Sequence, residues 1–117
     1  MSKGLSYRYT GTKGHIVAIA SNLPRTGQGL INNGWEEISH PAQAASGHHT
    51  YRELSTGLRI RYDKPTPRAE GFAGKDHFHI LNPSATNSRD MYLDKNGNSV
   101  KKNSKASHIL PKGEQET

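Results

Sequence analysis

The sequence predicts an α+β domain, in which a short N-terminal helical part packs on a four- to five-stranded antiparallel sheet. Three features carry that prediction: apolar residues at helical spacing around Trp35, strict alternation in two later segments, and turn signals between the later segments. A chain of 117 residues fits one domain (1–117), divided into a strand and helix lead-in over 1–47, an antiparallel sheet over 48–110 and a tail over 111–117.

In the lead-in, Gly11 to Gly14 reads as a turn, and the apolar run His15 to Ala20 suits either a strand or a buried helical turn. Leu23 to Gly29 is rich in Pro and Gly and reads as a loop. From Leu30 to Ser39, the residues Ile31, Trp35 and Ile38 fall on one stripe of a short helix, with Trp35 as its core anchor. Pro41 stops that helix near His40, and Pro41 to Gly47 becomes a linker with room for one helical turn through Ala42 to Ala45.

Strand patterning begins at His48. Thr50 to Leu54 and Leu58 to Asp63 form a hairpin around a three-residue loop, Ser55-Thr56-Gly57, which sets Leu54 opposite Leu58. Leu58, Ile60 and Tyr62 alternate with Arg59 and Arg61, so one face of the second arm is apolar and the other carries two guanidinium groups. Pro65, Pro67, Gly71 and Gly74 mark a long loop. Asp76 to Leu81 alternates again, with Phe78 and Ile80 facing one way and His77 and His79 the other. A fourth strand follows over Arg89 to Asp94, and Asn96-Gly97 signals a type I′ turn into Ser99 to Lys101.

The chain has no Cys, which excludes disulfides, thiolate metal sites and thiol nucleophiles. No apolar run reaches the roughly 18 residues that a membrane span needs, and no charged start precedes an apolar stretch as in a signal peptide. The expectation is a soluble domain whose delivery signal, if it is secreted, lies elsewhere in a larger parent. The formal charge of +6 favours a phosphate-rich partner.

If both apolar faces share the core, Arg59, Arg61, His77 and His79 project together from the opposite side. With Leu54 opposite Leu58, Glu53 falls opposite Arg59 and Tyr51 opposite Arg61 on that same side. Metal-free RNA cleavage needs a base for the ribose 2′-hydroxyl, an acid for the leaving 5′-oxygen and fixed cations for the phosphorane, and this patch holds each type of group. His77 and His79 are the expected acid and base, with Glu53 or His49 as the alternative base. Arg59, Arg61 and Lys75 are the expected phosphate contacts, and Arg52, Tyr51 and His48 the further substrate-binding residues. The same alternation also suits the ordinary wet face of a two-sided sheet. His77 and His79, joined by His48 or His49 and Asp76, would form a metal site in a rival reading as a metal-dependent DNase, although the arginines would repel a dication. A non-catalytic RNA-binding module is the other rival. His15, His40 and His108 read as structural or solvent residues.

The ordered segments Tyr51-Arg52-Glu53, Leu58 to Lys64, Gly71 to His79 and Asn82-Pro83, followed by Tyr92 to Asn98 and Ser107 to Ile109, resemble the C-terminal toxin domains of contact-dependent growth inhibition and related polymorphic toxins. The opening helix followed by an antiparallel sheet is similar to the fold shared by barnase, EndoU, colicin and RelE ribonucleases. The resemblance implies an endoribonuclease without a cofactor, often acting on tRNA and leaving a 2′,3′-cyclic phosphate. It implies delivery as part of a larger secreted or cell-surface effector, action in the target-cell cytoplasm, and neutralisation by a cognate immunity protein. An acidic immunity protein would suit a cationic face. Some members use elongation factor Tu, which the resemblance adds as a further partner.

Overall fold

The computed structural model describes residues 7–115. Its architecture is α+β: three helices and a six-stranded antiparallel sheet in the order β1-β2-β3-β4-β5-β6. The strands are β1 (Glu36–Glu37), β2 (His48–Arg52), β3 (Arg59–Asp63), β4 (His77–Leu81), β5 (Tyr92–Leu93) and β6 (Ser99–Val100). Helix α1 spans Lys13–Ala20, α2 spans Gly27–Asn32 and α3 spans Pro41–Ala45.

The run from His15 resolves as helix because Thr12 caps it, its side chain accepting the His15 amide at 3.1 Å, so that Ile16 and Ala20 fall on one buried face. The helix expected over Leu30 to Ser39 is interrupted. Asn33 ends α2, and Gly34 takes φ +91°, a left-handed conformation that Gly adopts without steric cost. Trp35 is buried beyond that turn, whereas Ile31 and Ile38 stay exposed and Glu36–Glu37 forms β1, an additional strand beside β2. Pro41 starts α3 at its first turn, where its missing N–H costs nothing.

The hairpin between β2 and β3 has a loop one residue longer than expected. Arg52 pairs with Arg59, Tyr51 with Ile60 and Thr50 with Arg61, while the Glu53 amide donates to the Leu58 carbonyl at 2.8 Å. Leu54 belongs to the loop and is 65% exposed. Gly57, at φ +85°, closes the turn by donating to the Glu53 carbonyl at 2.8 Å. Because side chains alternate along a strand, this slip of one moves Tyr51 and Glu53 to the core side and brings Thr50 and His48 to the arginine side. At the later turn, Gly97 alone has positive φ and donates to the Asp94 carbonyl at 3.0 Å, so this is not a type I′ turn, which would need Asn96 left-handed as well.

One core unites the layers. Ile16, Ala20, Leu23 and Leu30 from the helical part meet Tyr51, Ile60, Tyr62, Phe78, Ile80 and Leu93 from one sheet face. The opposite face of β3 and β4 is therefore the polar one, and it carries the candidate site.

Candidate active site

The parity of β3 and β4 places Arg61 directly opposite His79 and Asp63 opposite His77. All four share one face, but this face is covered rather than open to solvent: His77 is 5% and His79 2% exposed. The cover comes from the chain after β6. An isolated bridge joins Ile109 to Phe78 through two 2.8 Å backbone hydrogen bonds, and His108 thereby lies over the sheet, its ring 4.6 Å from that of His79 and 5.1 Å from that of His77. Tyr92 of β5 stacks on His79 from the other side, with ring centroids 4.6 Å apart.

Asp63 is the hub. Its carboxylate accepts from His48 Nδ1 at 2.8 Å and from the Arg61 guanidinium at 2.7 Å, with His77 Nε2 at 3.2 Å and His79 Nε2 at 3.4 Å. Burial would raise its pKa, yet the donors of His77, His79, Arg61 and His48 together hold it far below the usual carboxylate range. A buried anion ringed by donors fixes the orientation of every ring that touches it.

The imidazoles are driven apart in proton affinity. Burial opposes charge on His77, but its Nε2 faces Asp63 and its Nδ1 lies 3.0 Å from the Lys75 carbonyl; two acceptors favour the imidazolium, and its pKa is raised. His79 is pushed down to about 4 by burial, helped by the charges of Arg61 and His77 against the pull of Asp63. His79 Nδ1 is buried without a hydrogen-bond partner among the described residues. His108 is also lowered by burial and by the charge of His77. Its Nδ1 lies 2.9 Å from the Ser104 carbonyl, which fixes the proton on that nitrogen and leaves the lone pair on Nε2.

These groups line a cleft of about 330 Å³, bordered also by Lys64, Lys102 and Asn103. Of the residues expected from sequence, His48, Arg61, His77 and His79 meet there. Others lie apart. Glu53, which the one-residue slip moves to the core side, accepts from His15 Nε2 at 2.6 Å, and Tyr51 is buried in the core at 3% exposure. His49 sits opposite Tyr62 on that same side, held by Glu37 at 2.7 Å. Arg52 pairs with Glu36 at 2.6 Å, and Arg59 lies over the Tyr7 ring at 4.7 Å. The Lys75 side chain is exposed and outside the cleft, so its carbonyl rather than its ammonium serves the site.

Two central groups are not among those expected. Asp63 ends the same alternating strand as Arg59 and Arg61, and that period-two pattern already assigns it to their face. His108 had no comparable signal, because a long-range pairing, the bridge of Ile109 to Phe78, carries it over the sheet.

The ring nitrogens of His77, His79 and His108 lie within 4.8 Å of one another, so these three could also converge on a metal ion. Compared with known proteins, the chain matches no family model, no curated protein and no solved structure.

Proposed function

We propose that this chain is a metal-independent endoribonuclease, the toxin domain of a bacterial competition system, acting on tRNA in the target-cell cytoplasm and neutralised by a cognate immunity protein. The observation that supports it is the Asp63 hub, which gathers cations and imidazoles of opposed proton affinity in one cleft. Within it the lowered His108 suits a proton acceptor, and the raised His77 with Arg61 suits a source of fixed positive charge.

In this reading His108 Nε2 removes the proton of the ribose 2′-hydroxyl. The freed oxygen attacks the adjacent phosphorus, and the bond from phosphorus to the 5′-oxygen breaks to leave a 2′,3′-cyclic phosphate. His48, the most exposed of the rings around Asp63, holds Nδ1 against that carboxylate and keeps Nε2 for the cleft, where it serves as the acid for the departing 5′-oxygen. Arg61 and the His77 imidazolium supply the positive charge that would offset the charge developing on the phosphorane. In this reading the buried His77 and His79, the acid and base expected from sequence, serve instead in charge and positioning.

Purified protein is expected to cut RNA in excess EDTA, with His108→Ala and His48→Ala each losing on the order of 10²- to 10⁴-fold in rate while remaining folded. Undiminished cleavage by both variants would remove these imidazoles from the chemistry. RNA retained in a gel without cleavage would instead favour a binding module.

The second reading, a metal-dependent DNase, rests on the proximity of the three imidazoles. Zinc–nitrogen bonds near 2.1 Å bring tetrahedral ligand atoms to roughly 3.4 Å, so the rings would have to close inward. His77 would also give up one of its two acceptors, and Arg61 would oppose the dication. Loss of cleavage on chelation, with duplex DNA cut before RNA, is the result that favours this alternative.

A further inference from the structure

A second cavity, of about 400 Å³, borders the cleft at His108. Its character is different. Phe72, Ile109 and Leu110 give it apolar walls, and Asp94, Lys95, Asn96 and Gln115 form the polar part of its lining, Asp94 being its one carboxylate. Phe72 is fixed by stacking on His108, with ring centroids 4.7 Å apart and planes 16° from parallel. Asp94 is also fixed, because its Oδ1 accepts the amides of Asn96 and Asn98, each at 2.9 Å.

A polynucleotide offers a phosphate and a planar base on neighbouring positions. Here a cationic cleft and an aromatic-walled cavity are neighbours across one side chain, and that side chain is the ring assigned to deprotonate the ribose. Apolar walls with a few placed polar groups are the usual chemistry of a small-molecule pocket, and aromatic side chains are the usual platform for unstacked bases. We propose that this cavity is a nucleobase subsite, which takes the base next to the scissile phosphate and prefers one with an exocyclic amine on its pairing edge. The preference comes from Asp94. A carboxylate only accepts hydrogen bonds, so it pairs with the amine of cytosine, adenine or guanine and repels the carbonyl that uracil presents in the amine's place, leaving uracil its N3–H as the single donor on that edge. This assignment rests on the ribonuclease reading for its substrate, but it can be measured without cleavage.

The experiment is an NMR titration of the labelled protein with cytidine 3′-monophosphate, uridine 3′-monophosphate and inorganic phosphate in separate arms. Both nucleotides are expected to bind more tightly than phosphate, and the cytidine compound more tightly than the uridine one by roughly 5- to 10-fold, the size of one good polar contact. Asp94→Asn keeps an oxygen for the two turn amides and replaces the other acceptor by a donor, so the order of the two nucleotides should reverse. Phe72→Leu should weaken both nucleotides about 5-fold or more and leave phosphate binding unchanged, since stacking is lost while the cleft remains. Equal affinity for the three ligands, or nucleotide binding indifferent to both substitutions, would overturn the subsite. That failure is separable from failure of the nuclease reading: the former leaves EDTA-resistant RNA cleavage intact, whereas the latter leaves RNA uncut.

Discussion

Asp63 has four cationic or imidazole donors and is 5% exposed, so its loss leaves several buried donors without an acceptor. Asp63→Asn should cost roughly 3–5 kcal/mol of stability, the usual penalty for breaking a buried ion pair from one side, and urea denaturation measures it. Activity in the fraction that stays folded should fall on the order of 10²-fold, because His48 and Arg61 lose their orientation. The pH dependence has a definite sign at each group. A depressed carboxylate adds stability that is present above its unfolded value of 3.8 and is lost as pH falls below it. His79, lowered from 6.5 to about 4, makes the unfolded chain the better proton acceptor between those values, so stability declines as pH falls through that window. His77, raised above 6.5, works the other way: its contribution is full below 6.5 and fades as pH rises through its folded value. Denaturation midpoints measured from pH 7 to pH 4 should therefore fall less steeply in His79→Gln than in the native protein.

At the level of elements, the hairpin between β2 and β3 fixes which side chains reach the cleft, and Gly57 fixes the hairpin. A Cβ at Gly57 would lie 2.6 Å from the Arg8 carbonyl oxygen, and its φ of +85° already disfavours any L side chain. Gly57→Ala should cost at least ~1–2 kcal/mol, read as a lower thermal midpoint, with activity falling if the register relaxes. The alternation of Leu58 to Asp63 and of His77 to Leu81 was legible in the sequence, because period two is a local property of each segment. Placing Glu53 was not, since it depended on whether Leu54 pairs or turns, and an exposed leucine at a loop gives no local sign of which. The stripe of Ile31, Trp35 and Ile38 failed for a related reason: Gly34 permits a left-handed residue that ends α2 and sends Trp35 alone into the core. His108 was invisible because its place depends on a contact between residues about thirty apart in sequence, which no window of residues reports.

For the molecule as a whole, a net charge of +6 would steer the approach of a polyanion, and in the proposed reading the cleft is where it settles. Arg61, Lys64 and Lys102 are the cations that line it. Three phosphate contacts on a single strand imply a slope of about −2 in log affinity against log salt, and Lys102→Ala should reduce that slope by about 0.7. Fluorescence anisotropy with an oligonucleotide of 2′-deoxy residues, which lack the attacking hydroxyl, measures both. The Ile109–Phe78 bridge has a consequence at this scale. In the proposed reading the six strands can be hydrogen-bonded in order before the base is in place, because its ring arrives on a segment that the Ile109–Phe78 pair, the Lys112 amide on the Leu23 carbonyl and the Phe72 stack hold against the body. Competence would then need this docking as well as the sheet, and deuterium exchange at the Ile109 amide, which donates to the Phe78 carbonyl, would count how often the fastening opens.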